Sequence, residues 1–361
     1  MFVKTLELKN YRNYEKLHID FSSGTNILYG DNAQGKTNIL ESIYVCATSK
    51  SHRGSKDKEI IHFHDEESHI KLLVEKKGRE TRIDMHLKKN KTKGIAIDGL
   101  PIRKASELFG NLNVVFFSPE DLNIIKNGPA ERRRFLDMEL CQLDRFYTAG
   151  LVSYNQVLNQ RNKLLKELSF RPEYEDMLPV WDEQMVNYGV RVMERRRSFL
   201  KELGEIISGI HRSLTGGKEE IRVVYEPDTE PEQFAAALLE SRERDKKNRV
   251  SMRGPHRDDI VFLVNGIDIR KYGSQGQQRS AALSLKLSEI EMIRRTISDP
   301  PVLLLDDVLS ELDANRQNHL LESIKGIQTI ITCTGLDEFV NNHFSMNQVY
   351  QVVNGRIVKE G

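Results

Sequence analysis

The sequence predicts an α/β fold, a mixed sheet flanked by helices, interrupted by a mainly helical second lobe. Three observations predict it. A glycine-rich octet, Gly30-Asp31-Asn32-Ala33-Gln34-Gly35-Lys36-Thr37, lies between a strand pattern and a helix pattern. An apolar run, Val302-Leu303-Leu304-Leu305, ends in the paired carboxylates Asp306 and Asp307. Between the two, the chain changes from alternating to helical periodicity.

The chain has 361 residues, 39% of them hydrophobic. That suffices for one large core and a second lobe, because single cores stop growing near about 250–300 residues. Charged residues make up 30% of the chain but the net charge is only +1. Attraction to nucleic acid must therefore come from local patches and not from the summed field. Cys46, Cys141 and Cys333 are far apart and form no C-x-x-C pair. This argues against a disulfide framework or a zinc site and for a reducing compartment. The opening Met1-Phe2-Val3-Lys4-Thr5-Leu6-Glu7 carries charges where a signal peptide needs apolar residues. No run reaches the roughly 18–20 apolar residues of a membrane-spanning helix. A soluble, cytoplasmic protein is expected.

Leu6 and Leu8, then Leu17, Ile19 and Phe21, alternate with polar residues, the signature of half-buried strands. Asn26-Ile27-Leu28-Tyr29 reads as a buried strand ending at Gly30, and Ile39, Leu40, Ile43 and Tyr44 follow at helical spacing. His69 to Val74 alternates again, and Lys88 to Gly94 has the composition of a solvated hairpin tip. After the apolar Val114-Val115-Phe116-Phe117, Gly128-Pro129 marks a helix start, since proline at the first helical position loses no needed N–H. Leu178, Trp181, Met185, Val192, Phe199, Leu203, Ile206 and Ile210 then follow one helical face, expected to be core. No heptad pattern is long enough for a coiled-coil arm. Strand-like residues return at 221–225 and 260–264, and the last third alternates helix and strand before a short terminal hairpin. The boundaries predicted are residues 1–125 and 251–361 for the two parts of the α/β lobe, and 126–250 for the helical insertion.

The octet fits G-x-x-x-x-G-K-[ST] at every fixed position. Glycines let the backbone wrap closely around phosphate oxygens, and successive N–H groups at a helix start point at the anion. In that pattern Lys36 reaches the β- and γ-phosphates and the Thr37 hydroxyl holds Mg2+. A phosphate loop of this kind needs an aspartate across from the threonine, and Asp306 fits that metal role. Asp307 then stands where a residue orients or deprotonates an attacking water. Gly273-Ser274-Gln275-Gly276-Gln277 opens a long helix upstream of the acidic strand, and Leu309-Ser310-Glu311-Leu312-Asp313 follows it.

The order phosphate loop, Ser274-led helix start, acidic strand and 309–313 loop resembles the ABC-type ATPases. In that class the signature serine and glycine bind the γ-phosphate held by the opposite subunit. Within the class, the chain resembles the RecF family of bacterial recombination mediators over nearly its whole length. The resemblance is carried by Leu8 to Tyr14, Gly30 to Asn38, Phe117 to Leu122, Gly128-Pro129 with Arg132 to Asp137, Gly254 to Asp259, the helix start and Leu305-Asp306-Asp307. It implies an ABC-type head like those of SMC proteins, without their long coiled coil. It also implies ATP with Mg2+, an ATP-dependent homodimer, and weak, DNA-stimulated hydrolysis acting as a switch. Further implications are DNA binding without sequence preference, work with RecO and RecR in loading a recombinase at gaps, and support of replication restart and the SOS response. The nucleotide contacts implied are Arg12, Gly30, Asp31, Asn32, Ala33, Gln34, Gly35, Lys36, Thr37 and Asn38, with Ser274, Gln275, Gly276 and Gln277 in trans. Three departures point to slow hydrolysis. Asp307 replaces a glutamate, the signature reads Ser274-Gln275-Gly276, and neither the usual glutamine nor the switch histidine is present. Glu120 and either Thr332 or Thr334 are the substitutes.

Basic clusters at 50–58, 88–93, 132–134, 195–197 and 242–257 are candidate phosphate contacts. Consecutive Arg132, Arg133 and Arg134 cannot share a helix face, so at least one must pack internally. Two other readings use the same loop: the ATPase subunit of a membrane transporter, and a kinase for a small metabolite.

Overall fold

The computed structural model describes residues 1–309, 312–335 and 346–360. The chain divides into two compact units, Met1–Asp121 with Leu285–Gly361, and Leu122–Ser284.

In the first unit the opening alternation forms a hairpin, β1 (Phe2–Tyr11) and β2 (Tyr14–Asp20), with Leu6 opposite Ile19 and Leu8 opposite Leu17. The short apolar β3 (Thr25–Tyr29) runs into the octet and then α1 (Lys36–Thr48). After the single turn α2 (Asp57–Ile60) come β4 (Glu67–Lys76), β5 (Arg79–Lys88), β6 (Lys91–Ile97) and β7 (Leu100–Pro101). They extend the hairpin into an antiparallel sheet of order β2-β1-β4-β5-β6-β7. One face buries Leu6, Leu8, Ile70, Leu72, Ile83 and Met85 in the same core as Ile39, Leu40 and Ile43 of α1. The other face stays polar, as period-two alternation requires. β8 (Val114–Phe117) is buried along its whole length.

The second unit holds α3 (Leu122–Lys126), α4 (Pro129–Leu143), α5 (Arg145–Glu167) and α6 (Leu178–Leu214). It continues with β9 (Ile221–Glu226), α7 (Phe234–Asn248), β10 (Asp259–Val264), β11 (Ile267–Asp268) and α8 (Ile269–Tyr272). α9 (Gln275–Ile297) carries the chain back to the first unit. α4 begins on Pro129, as its sequence predicts. α6 has 37 residues, hence a length of about 55 Å, and its stripe of Leu178, Met185, Val192, Phe199, Leu203 and Ile206 is buried.

Three arginines are enclosed in this unit. Arg132 forms a two-pronged pair with Asp259, at 2.6 and 2.9 Å. Arg161 binds Asp182, Asp245 and Ser251. Arg196 binds Asp137, Asp258 and the Pro255 carbonyl. A charge removed from water is tolerated only with its partners in place, and the planar guanidinium fork satisfies several at once. Two of the five counter-ions, Asp258 and Asp259, come from Gly254–Asp259. Gly254 has φ +123°, and a Cβ there would lie 2.6 Å from the Tyr154 hydroxyl. That hydroxyl donates to His256 Nδ1 at 2.7 Å, while Nε2 faces the Ser251 carbonyl at 3.0 Å.

This network corrects one expectation and bears on another. Residues 251–284, assigned from sequence to the α/β lobe, pack with the helical unit because β10 pairs with β9 and its aspartates neutralise arginines of α4 and α6. The network also takes up several cations of the clusters 132–134 and 195–197. Arg132 and Arg196 are buried, Arg133 donates to the Asp258 carbonyl, Arg195 sits 3.4 Å from Asp144, and Arg197 pairs with Glu230. The inward packing inferred for one of Arg132–Arg134 is met by Arg132.

The chain re-enters the first unit and forms β12 (Val302–Asp306), α10 (Ala314–Ser323), β13 (Thr329–Cys333), β14 (Met346–Val353) and β15 (Arg356–Glu360). The second sheet has the order β15-β14-β3-β13-β12-β8, parallel throughout except for the edge strand β15. Parallel pairing brings the carboxyl ends of β3, β12 and β13 to one edge, where open α/β sheets place their sites. Of the predicted 309–313 loop, Ser310 and Glu311 lie outside the described residues.

Burial lowers the His256 pKa from 6.5 to about 4. The unfolded chain takes up a proton near 6.5 that the native ring refuses, so stability falls as pH drops from about 6.5 towards 4, by up to roughly 3 kcal/mol. Urea unfolding at pH 7 and pH 5 checks this. The midpoint of the parent drops further than that of His256→Gln; equal drops would refute the assignment.

Candidate nucleotide site

The octet is shaped by what presses on it. Gly30 has φ +149°, and a Cβ there would lie 2.3 Å from the Val352 carbonyl oxygen. Gly35 has φ +110°, and its Cβ would fall 2.4 Å from Asn13 Nδ2 and 2.9 Å from the Tyr14 hydroxyl. Only glycine fits either place without displacing backbone or buried side chains. Asn13 Nδ2 donates to the Gln34 carbonyl at 2.9 Å, and the Tyr14 hydroxyl donates to the Gly35 carbonyl at 3.1 Å. From the other side, the Asn354 N–H donates to Gln34 Oε1 at 2.5 Å, and Asn38 Nδ2 donates to Asn13 Oδ1 at 2.8 Å. The loop is thus held between the β1–β2 turn and the β14–β15 turn. Asp31, Asn32 and Ala33 at its crest remain exposed.

Lys36 is buried, with Nζ 2.5 Å from the Gly30 carbonyl and 2.9 Å from the Asp31 carbonyl. Its ammonium therefore sits inside the loop, where an entering phosphate would be met by charge and backbone N–H groups together. The Thr37 hydroxyl donates to Asp306 Oδ1 at 2.7 Å, and the Thr332 hydroxyl reaches the same oxygen at 2.8 Å. Hydroxyl and carboxylate oxygens are hard donors of the kind Mg2+ takes, so this pair fits the ion.

Asp307 follows with φ +52°, a left-handed conformation that aspartate tolerates better than most residues. Its N–H donates to the Thr332 hydroxyl at 3.1 Å. Burial raises the Asp307 pKa, the Lys36 charge opposes this, and Asp306 adds to the rise. A carboxylate made more basic in this way suits proton acceptance. Of the two threonines considered for the switch, Thr332 is buried on Asp306, whereas Thr334 is exposed. Glu120 is exposed in a turn just beyond β8, where Asp121 caps the Ser118 N–H at 2.8 Å.

Arg12, expected at the nucleotide, is clamped on Glu41 of α1 by Nε at 2.8 Å and Nη2 at 2.7 Å, and Nη1 donates to the Glu59 carbonyl. Burial works to raise the Glu41 pKa, but hydrogen bonds from Arg12 and Ser51 outweigh it and hold the carboxylate below its usual range. In this structure Arg12 therefore braces the β1–β2 turn against α1. In the second unit, Ser274 and Gln277 form a reciprocal capping box. The Ser274 N–H donates to Gln277 Oε1 at 3.0 Å and the Gln277 N–H to Ser274 Oγ at 3.2 Å. Ser274, Gln275 and Gly276 are exposed at this start of α9.

Sequence reasoning missed the role of Asn13, Tyr14, Asn354 and Gly355 in shaping the loop. Asn354-Gly355 carried a signal, because Asn-Gly favours the tight turns of hairpins, and both residues have positive φ. Nothing in the sequence told which loop that turn would meet.

A phosphate loop, a threonine–aspartate pair joining the first turn of α1 to the end of β12 and an exposed serine-led helix start define an ABC-type ATPase head. The RecF/RecN/SMC N terminal domain matches residues 2–358. The DNA replication and repair protein RecF of Lachnospira eligens is 62% identical, covering 100% of both chains. That of Lachnoclostridium phytofermentans is 58% identical over 99% of this chain and 100% of its own. The solved recombination mediator protein RecF-ATP of the RecFOR pathway superposes with a TM-score of 0.94 at 35% identity, covering 100% of this chain and 98% of that one. The chain belongs to the RecF family. An Smc head domain from Pyrococcus furiosus shares the fold, with a TM-score of 0.56 at 17% identity. Among the described residues no helix is long and apolar enough to cross a membrane.

Gly35→Ala forces a side chain into a left-handed position already filled by Asn13 and Tyr14. We expect a stability loss of about 1–3 kcal/mol in thermal or urea unfolding, together with loss of binding of a fluorescent ATP analogue. Unchanged binding would contradict the described loop.

Proposed function

We propose that this chain is an ATP-dependent DNA-binding protein of recombinational repair, closing as a homodimer when ATP binds and reopening after slow hydrolysis. The observation that carries this reading is the capping box at Ser274. The box sits at a solvent-exposed helix start, Ser274 to Gly276, whose partial positive charge attracts an anion. The loop at 30–38 already has a lysine and a magnesium-type pair of its own. A second phosphate-binding element is what a site shared between two copies requires. Lys36, Thr37 and the octet backbone hold the triphosphate from one copy, and Ser274, Gln275, Gly276 and Gln277 face it from the other. When bound at Thr37 and Asp306, Mg2+ supplies charge neutralisation at the phosphates. Asp307 orients the attacking water and takes its proton, with Thr332 and Glu120 completing the polar rim. An aspartate is one methylene shorter than glutamate, which favours slow turnover.

For DNA, exposed Lys50, Arg53, Lys56 and Lys58 follow α1, and exposed Arg244, Lys247 and Arg249 close α7. They stand out once buried and ion-paired cations, Lys88, Lys89 and Lys93 of the 88–93 cluster among them, are set aside. The named relatives and the RecF-ATP structure support repair over transport, and partnership with RecO and RecR in the cytoplasm follows from the same kinship.

Size-exclusion chromatography with ATP and Mg2+ tests the shared site. The parent dimerises, and Lys36→Ala and Ser274→Arg each remain monomeric. Their equimolar mixture recovers part of the dimer, because one of its two sites is intact. Dimerisation of both variants like the parent would sink this reading. Separately, Arg53→Ala/Lys56→Ala/Lys58→Ala lowers the slope of log affinity for duplex DNA against log salt by about 0.9 for each phosphate that the cluster neutralises. An unchanged slope removes that cluster from the interface.

A further inference from the structure

The polar face of the antiparallel sheet carries Glu67, His69 and His86. Glu67 and His69 are two residues apart on β4 and so share a face. His86 lies directly opposite His69 on β5. The two imidazoles stack with centroids 4.0 Å apart and planes 21° apart. Both turn Nε2 towards one carboxylate: His86 Nε2 is 3.0 Å from Glu67 Oε2, and His69 Nε2 is 3.7 Å from Glu67 Oε1. The three potential ligand atoms all lie within 4.8 Å of one another. Among the described residues this is the only such set of histidine, cysteine and carboxylate side chains.

We propose that Glu67, His69 and His86 bind a transition-metal ion of the zinc class on the open face of this sheet. Zinc bonds of about 2.0–2.2 Å in tetrahedral geometry place ligand atoms roughly 3.2–3.6 Å apart; the 3.0 and 3.7 Å separations from Glu67 bracket this, and tilting the two near-parallel rings out of their stack turns both Nε2 lone pairs onto one ion. Two imidazoles and one carboxylate suit Zn2+, Co2+, Ni2+ or Cu2+, while Mg2+ and Ca2+ prefer all-oxygen sets. Lys88 Nζ, 3.5 Å from Glu67 Oε2, competes for the carboxylate and disfavours ions held by oxygen alone. The rigid pairing of β4 with β5 presets the ligand spacing, so binding orders only side chains. Both histidines line an open cavity of about 940 Å³, walled also by Lys9, Lys16 and Lys71. A fourth coordination position is therefore within reach of solvent or an anionic ligand. The cysteine spacing that argued against zinc was blind to this set, because its members come from two strands and include no thiol.

The test is calorimetric titration of the full chain with ZnCl2 in excess Mg2+, which occupies the Thr37–Asp306 pair. Co2+ replaces Zn2+ in a parallel absorbance titration. We expect one saturable zinc per chain and visible d–d bands with cobalt. Zinc should shift the His69 and His86 ring proton resonances. His69→Asn and His86→Asn should each weaken binding at least about tenfold, and Glu67→Gln by a similar factor, with unaltered circular dichroism and melting of the metal-free protein. Absence of saturable binding, or undiminished binding by His69→Asn/His86→Asn, overturns the assignment. Should that double variant misfold, the ring-proton shifts of the parent decide alone: shifts elsewhere but not at His69 and His86 refute it.

Discussion

The shared carboxylate oxygen of Asp306, reached by Thr37 at 2.7 Å and Thr332 at 2.8 Å, is the contact on which the rest of the site depends. It joins the start of α1 to the ends of β12 and β13. It requires those strands to run parallel to β3 and to stop at the same level, which their register provides, with Asp306 opposite Thr332 and Thr332 opposite Leu28. A slip of one residue would turn Asp306 to the other face of the sheet and leave Thr37 without its partner. Because Val302 to Leu305 are apolar and buried on both faces, that run alone does not set the register, and the polar contacts of Asp306 at its end do.

The second unit solves a different problem by similar means. Its interior contains charges, and its order comes from matching each arginine with aspartates from distant segments. The segment Gly254–Asp259 serves as a polar keystone: a left-handed glycine, a neutral histidine and two aspartates meet α4, α5 and α6. Such networks are unforgiving, since removal of one partner strands the other in a low-dielectric interior. They also consume cationic residues that a sequence alone presents as surface charge.

Much of the first unit was legible in the chain because its signals are local. The octet, the acidic strand end and the alternating hairpins each depend on neighbouring residues, as does the Pro129 helix start in the second unit. The buried stripe of α6 was legible for the same reason. What escaped were pairings between distant segments. Which of Arg132–Arg134 packs inward, and that Arg196 does so at all, shows only once Asp258 and Asp259 are seen beside them. Nothing near Arg12, which the family resemblance gave as a nucleotide contact, announces Glu41, 29 residues away, as its partner. The boundary at 251 was misplaced because β10 has the same period as the strands of the first unit, and only its pairing with β9 assigns it.

The clasp of Asn354 on Gln34 joins positions 320 residues apart. On the ribosome, the glycine loop emerges early and waits for almost all remaining sequence before its outer brace exists. Until then its backbone lacks one of the two walls that shape it, and the parallel strand pairs that set the metal-side groups are also missing. Long-range pairings of this kind form slowly and leave strand edges uncovered meanwhile. A nascent chain should therefore be blind to ATP until the β14–β15 hairpin has emerged and folded.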